Sequence, residues 1–343
     1  VRHLVPNTDT LKAWGLDKLP LLQWNGSYLG SFPVGKDISR LMRPSGSQDV
    51  YFVDNGNCYR IPSTEMLSAW GFNPAAIVDV STSFSQVPTN LGALSYSVRN
   101  ASVGSGPVYM VDGGATHQNA DILNAWEGDN PSITALSNDY ISAMGSGTGL
   151  SGTKINTGAT TKEYQVSAGQ KLLESTPVTQ LYPGVAQSVS TATINRLGNG
   201  PAASQFIRAY NGTTIYMVDG GTKHAVATPE IVKAWNNGTN PSVNLVTQGN
   251  LNLLPNGTAL TGYEADLSGQ LYLMDSRKIA IPTGLDSSYR TSNVYSPSTA
   301  LMSLLTSGGT ATGFLKGFNS PGVYLMDAGS LRQVRTPNNL SLL

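Results

Sequence analysis

Along this chain, short runs of alternating apolar and polar positions return at regular intervals, each closing on an aspartate. Val50-Tyr51-Phe52-Val53-Asp54 returns as Val108-Tyr109-Met110-Val111-Asp112 and as Ile215-Tyr216-Met217-Val218-Asp219. It returns again as Leu271-Tyr272-Leu273-Met274-Asp275 and Val323-Tyr324-Leu325-Met326-Asp327, and a worn copy, Glu163-Tyr164-Gln165-Val166, fills the one double-length gap. The tyrosines Tyr51, Tyr109, Tyr164, Tyr216, Tyr272 and Tyr324 step by 58, 55, 52, 56 and 52 residues. A fixed period of this size marks stacked or radially arranged supersecondary units. It also weights function toward repeated contacts or assembly rather than one singular pocket.

The copy spanning 206–262 shows the anatomy of a unit. Phe206-Ile207-Arg208-Ala209 reads as a strand, Asn211-Gly212 as a turn, and Ile215 to Val218 as a second strand. Asp219-Gly220-Gly221 is a hairpin signal, since the glycines allow positive φ and the aspartate can accept bonds from turn amides. Lys223-His224-Ala225-Val226 returns as a third strand. Thr228-Pro229-Glu230 opens a short helix with a capping residue, a proline and an early acid, and Ile231, Ala234 and Trp235 share one of its faces. The same helix is legible at Asp9 to Trp14, Glu65 to Trp70 and Asp121 to Trp126. An extended piece, Val243 to Thr247, follows as a fourth strand, and a Leu-x-x-x-Pro-x-Gly loop, Leu251 to Gly257, leads into the next unit.

Three meandering strands, a helix and a fourth strand in ~50 residues match a propeller blade, and radial repetition protects sheet edges. The C-terminal copy carries three strands, ending at Arg332-Gln333-Val334-Arg335. The N-terminus supplies a helix and a fourth-strand candidate, Leu21-Leu22-Gln23-Trp24. Joining the two completes a sixth blade. The expected fold class is therefore all-β with short helices, a repeat-built six-bladed β-propeller in one domain, 1–343. A seven-bladed ring or an open repeat array is the alternative, because His3-Leu4-Val5 duplicates the third strand. The units fall at about 1–40 (partial), 41–95, 96–150, 151–202, 203–260, 261–312 and 313–343 (partial).

Composition narrows the function. The 21 basic and 21 acidic residues balance and charged residues total only 12%, so no basic field exists to attract a phosphate backbone, and nucleic acid is not an expected partner. A surface of Ser, Thr, Asn, Gln and Gly suits a protein outside the cell. Cys58 is alone, so no internal disulfide forms, and a chain of this length has core enough without one. Six Asn-x-Ser/Thr sequons, at Asn25, Asn100, Asn211, Asn237, Asn256 and Asn339, are about what so many Asn, Ser and Thr residues give by chance. No apolar run approaches the ~20 residues of a membrane span. The opening at Arg2-His3-Leu4-Val5-Pro6, without a signal peptide, suggests a mature or truncated product.

The phrase Tyr-x-Val-Asp-Gly-Gly-x-x-His, complete at Tyr109–His117 and Tyr216–His224 and followed by a helix ending in Ala-Trp, resembles tandem repeats of about 55 residues in secreted bacterial cell-surface and cell-wall-associated proteins. The resemblance implies surface association and binding rather than catalysis. It covers nearly the whole chain and is weak from about 140 to 200.

Several residue sets invite chemistry. The aspartates Asp54, Asp112, Asp219, Asp275 and Asp327 tempt a calcium reading, yet each loop offers one carboxylate where calcium takes six to eight oxygens; they read as structural turn residues, with no metal. His3, His117 and His224 share one repeat position, held by Arg60 in another copy, and equivalent positions in an array do not converge on one ion. They read as strand residues bonded to a neighbouring unit or, with Arg60 and Lys223, as a repeated ligand-facing set. Trp70, Trp126 and Trp235, with Trp14, pack on a helix face or present an indole to a sugar ring.

Enzyme signatures and cofactor motifs are absent: no Gly-x-Ser-x-Gly elbow occurs, and Gly145-Ser146-Gly147-Thr148-Gly149 lacks the lysine of a phosphate loop. A repeat-built hydrolase would need two acids singled out from a set that recurs in register. The leading expectation is a non-catalytic extracellular binding module, recognising cell-wall or surface glycan multivalently through His117, His224, Arg60, Lys223 and the tryptophans. The alternative is a structural subunit of a surface layer, sheath or appendage that binds copies of itself.

Overall fold

The computed structural model describes residues 1–118, 122–128, 130–182, 184–316, 321–328 and 330–334. Asp121, Asp129, Arg335 and the sequon at Asn339 lie outside them. The chain divides into two compact units. One comprises Val1–Lys162, Val166–Lys171 and Gln187–Asn199; the other comprises Glu163–Gln165, Leu172–Ala186 and Gly200–Leu343. The protein is mostly β, with short helices and small sheets of three to five strands. No helix among the described residues is long and apolar enough to cross a membrane.

The central meander of each repeat forms as its alternation predicts. Phe206–Ala209 pairs antiparallel with Tyr216–Asp219, which pairs antiparallel with Thr222–Ala225. The turn takes φ 56° at Gly220 and 79° at Gly221, the left-handed pair that matches strand twist in a two-residue hairpin. The helix Pro229–Ala234 begins where Thr228 accepts the Ile231 amide at 3.4 Å, and Ile231, Val232 and Ala234 are its buried face. Ser63 caps Thr64–Ala69 in the same way through the Met66 amide, at 3.2 Å.

Beyond the meander the structure differs from four antiparallel strands. The fourth strand, Val243–Val246, lies parallel to the first, Phe206–Ala209. The reason is the helix between them. A parallel pair needs a crossover, and Pro229–Ala234 provides one. After a second helix, Gln248–Leu253, the chain returns beside the third strand through parallel bridges Lys223↔Asn256 and Val226↔Leu260. The order across the sheet is thus fourth, first, second, third, fifth. The sheets built on Leu41–Pro44, Ser97–Asn100, Lys154–Asn156 and Glu264–Leu267 follow that order with all five strands. The last sheet has Phe314–Lys316, Val323–Asp327 and Ser330–Val334 in sequence order.

Apolar alternation decides where each core sits. In one unit, Phe52, Trp70, Val98 and Leu136 form a cluster, and Trp14, Met42, Val53 and Val80 another. In the other, Phe206, Met217, Trp235 and Leu301 lie in one large cluster. Burying each such aliphatic side chain contributes roughly 1.5–3 kcal/mol, which offsets the ordering cost of many short elements.

Candidate functional site

The residues singled out by periodicity converge on the seams between repeats. Trp14, Trp70, Trp126 and Trp235 are all buried, so their indole faces pack inside. Three of them also reach forward. Trp14, Trp126 and Trp235 donate from Nε1 to the carbonyls of Ser39, Gly152 and Gly262, at 2.8, 3.1 and 3.1 Å, each two residues ahead of the next first strand. Trp70 instead sits in an aromatic cluster with Phe52, Phe72 and Tyr140.

Lys223 is buried, and its ammonium donates to the carbonyls of Leu251 (2.6 Å) and Leu254, at the end of the helix Gln248–Leu253. Lys171 does the same to Ile194 and Leu197, and Lys278 to Met302. A cation at a helix C-terminus satisfies orphan carbonyls and the helix dipole together. Burial pulls both Lys171 and Lys223 below the ordinary lysine value.

The histidines are likewise engaged. Nδ1 of His3, His117 and His224 lies 2.6, 2.6 and 2.8 Å from the carbonyls of Lys36, Thr148 and Thr258, which it reaches as a donor. The ring lies on the preceding glycine: a Cβ on Gly147 would stand 2.1 Å from His117 Cε1, and one on Gly257 2.3 Å from His224 Cε1. Arg60 is exposed and pairs loosely with Asp49 at 3.9 Å. Among the described residues no group of three or more His, Cys, Asp or Glu could hold a metal ion.

The aspartates make the most specific contact. The sequence places them at turns, accepting turn amides; the carboxylates in fact reach into the following repeat. Asp54 accepts the Ser137 amide at 2.6 Å and its hydroxyl at 2.7 Å. Asp112 accepts the Ser190 amide at 2.9 Å and its hydroxyl. Asp219 accepts the Ser298 amide at 2.8 Å and its hydroxyl. Each serine is a helix N-cap, and its oxygen in turn accepts the amide of Tyr140, Thr193 or Leu301. The carboxylate thereby orients the hydroxyl lone pair toward the helix and adds negative charge at its start. Asp275 is exposed, and Asp327 pairs with Arg332 at 2.7 Å.

At one junction the latch gains further members. Tyr295 donates its hydroxyl to Asp219 at 2.9 Å and lies 3.1 Å from His224 Nε2, beside a cleft of about 560 Å³. The hydroxyl has one proton and two acceptors; the shorter, charge-assisted bond to Asp219 takes it. Burial, with the Asp219 charge, pushes the phenol above its ordinary range. At the Asp54 junction Arg40 plays the added part, donating to Asp54 at 2.9 Å and lying over the Tyr140 ring at 4.8 Å.

The sequence reading missed the cap serines and Tyr295. Its available signal was a second phase of the repeat: Ser81, Ser137, Ser190, Thr247 and Ser298 recur at the period of the tyrosines, each before a short helical pattern.

No family model matches the chain and no curated protein is similar to it. Among solved structures, one titled "Structure of the periplasmic assembly from the ESX-5 inner membrane complex, C1 model" is similar over 65% of this chain and 69% of that chain, at 11% identity and a TM-score of 0.17. A second, "Structure of an intact ESX-5 inner membrane complex, Composite C3 model", is similar over 87% and 82%, at 10% identity and a TM-score of 0.16. Likeness at these values carries no argument about fold or function.

Proposed function

We propose that this protein is a non-catalytic extracellular scaffold, a structural subunit whose repeats present surfaces for association with other proteins. One observation carries the reading. Most of the polar residues that recur with the period are spent on the fold: Trp14, Trp126, Trp235, Lys171, Lys223 and Lys278 on carbonyls, Asp54, Asp112 and Asp219 on caps, and the histidines on backbone carbonyls. Acids held in equivalent latches are poor candidates for the unequal pair that glycoside hydrolysis uses. Low charge and a Ser/Thr/Asn-rich surface support a place outside the cell.

Light scattering over a concentration series tests it, alongside retention on insoluble cell-wall polysaccharide. The expected result is growth in mass with concentration and no saturable retention. Saturable retention of a monomeric chain, competed by free sugar, would replace the scaffold with the glycan-binding module and direct attention to Arg60 and His117.

A further inference from the structure

In the five larger sheets the fourth strand lies parallel to the first, and in three of them, at Val78–Val80, Ile133–Leu136 and Val243–Val246, its inward residues are buried. Val78 and Val80 are 1% and 2% exposed beside Leu41–Pro44, and Leu136 is 1% exposed beside Ser97–Asn100. The segment after the helix Thr8–Ala13 has the same place in its own repeat. It runs from Ala13-Trp14 through Leu21-Leu22-Gln23-Trp24 to a short helix, Gly26–Gly30, capped by Asn25. Here Leu21, Leu22 and Trp24 are 85%, 79% and 54% exposed. Tyr28 stacks on Trp24 at 4.8 Å and Phe32 meets Tyr28 edge to face at 5.2 Å, so these aromatic groups are gathered together.

The sheet of Phe314–Lys316, Val323–Asp327 and Ser330–Val334 has the converse feature. It presents a first strand whose outer edge is unpaired among the described residues. An open edge and an apolar segment of fourth-strand type are the two halves of strand addition.

The pairing register makes the match specific. The residue three before the serine or threonine whose side chain accepts an amide of the second helix lies opposite the first-strand residue that faces the repeated tyrosine. Val78 lies opposite Met42 and Thr134 opposite Val98; Asn244 lies opposite Ile207 and Tyr295 opposite Ala265. Those partners face Tyr51, Tyr109, Tyr216 and Tyr272. Three before Asn25 is Leu22, and the residue facing Tyr324 is Leu315. The latch pattern agrees. Each latching carboxylate holds the second-helix cap of the following repeat, so Asp275, exposed, is the counterpart for Asn25.

We propose that the Leu21–Trp24 segment of one copy adds in parallel to Phe314–Lys316 of a second copy, Leu22 opposite Leu315, with Asp275 of the second copy accepting from the Asn25 side chain of the first. This deepens the scaffold reading and rests on it. Among the described residues each copy carries one such donor segment and one such acceptor edge. The contact is therefore heterologous and propagates head to tail.

The test mixes two single-cysteine variants, Leu22→Cys and Leu315→Cys, under mild oxidation and with a short bifunctional thiol reagent. Cys58, the only native thiol, is buried and its burial pushes it up to about 11, so background labelling is low. The expected result is a cross-linked species containing one chain of each variant, absent when either variant is treated alone. Leu22→Asp and Asp275→Ala should each raise the concentration needed for assembly at least tenfold, with the melting temperature unchanged because both sites are exposed. Assembly that persists in these variants without the mixed cross-link overturns strand addition and leaves the scaffold standing. A chain that never assembles overturns both. Cross-linking within a dilute doubly substituted monomer would assign the edge to the chain's own N-terminal segment and overturn the second copy.

Discussion

Gly257 and His224 show how a residue chosen by periodicity is read from its partner. The backbone at Gly257 carries no positive φ, so what opposes a side chain there is the approach of a new Cβ to 2.3 Å from the His224 ring and 2.7 Å from Thr222 Cγ2. Gly257→Ala is expected to cost about 1–3 kcal/mol by overpacking. In a His224→Ala background only the Thr222 contact remains, so the same substitution should cost less, giving a coupling of about 1 kcal/mol in a double-mutant cycle read from urea midpoints. Additive costs would mean that the ring does not lie on this glycine. The recurrence of His3, His117 and His224 was visible in the sequence, but their direction was not. The glycine beneath each ring belongs to a loop reached only after two helices, and nothing in the local pattern links them.

At the scale of the element, the Asp112 latch is open to direct measurement. Asp112→Asn turns one of two acceptor oxygens into a donor facing the Ser190 amide and hydroxyl, and should cost about 1.5–3 kcal/mol, the range for bonds to a charged group. Ser190→Ala should cost about 1 kcal/mol, as a lost N-cap does. The double variant should cost less than the sum, because the two changes remove one shared network. Denaturant titration of the four proteins checks this. Meander, hairpin and helix were legible because alternation, Gly-Gly and Thr-Pro-Glu act within a few residues. The parallel placement of Val243–Val246 was not: an apolar run looks the same in either orientation, and a helix crossover decides between them. The latch was hidden for a related reason, since Asp112 and Ser190 stand 78 residues apart.

For the whole molecule, contacts that link a repeat to its successor imply that stability is a sum of repeat terms and junction terms rather than one global quantity. Indole bonds and aspartate latches both run forward to the next repeat, so loosening one junction should be felt near it and fade with distance. Asp219→Asn provides the case. It removes the carboxylate that holds Ser298, Tyr295 and, through Ser298, the start of the helix Thr299–Ser303. Native-state hydrogen exchange should then show lower protection in Thr299–Ser303 and Tyr216–Asp219, by a free energy close to the latch's own contribution. Val50–Asp54, latched separately through Asp54 to Ser137, should keep its protection. Equal loss at both places would instead mean that the chain opens as one cooperative body, with the repeat describing its sequence and not its energetics. A local loss fits a scaffold whose repeats are held pairwise, in which a damaged junction leaves distant repeats folded and able to make their contacts.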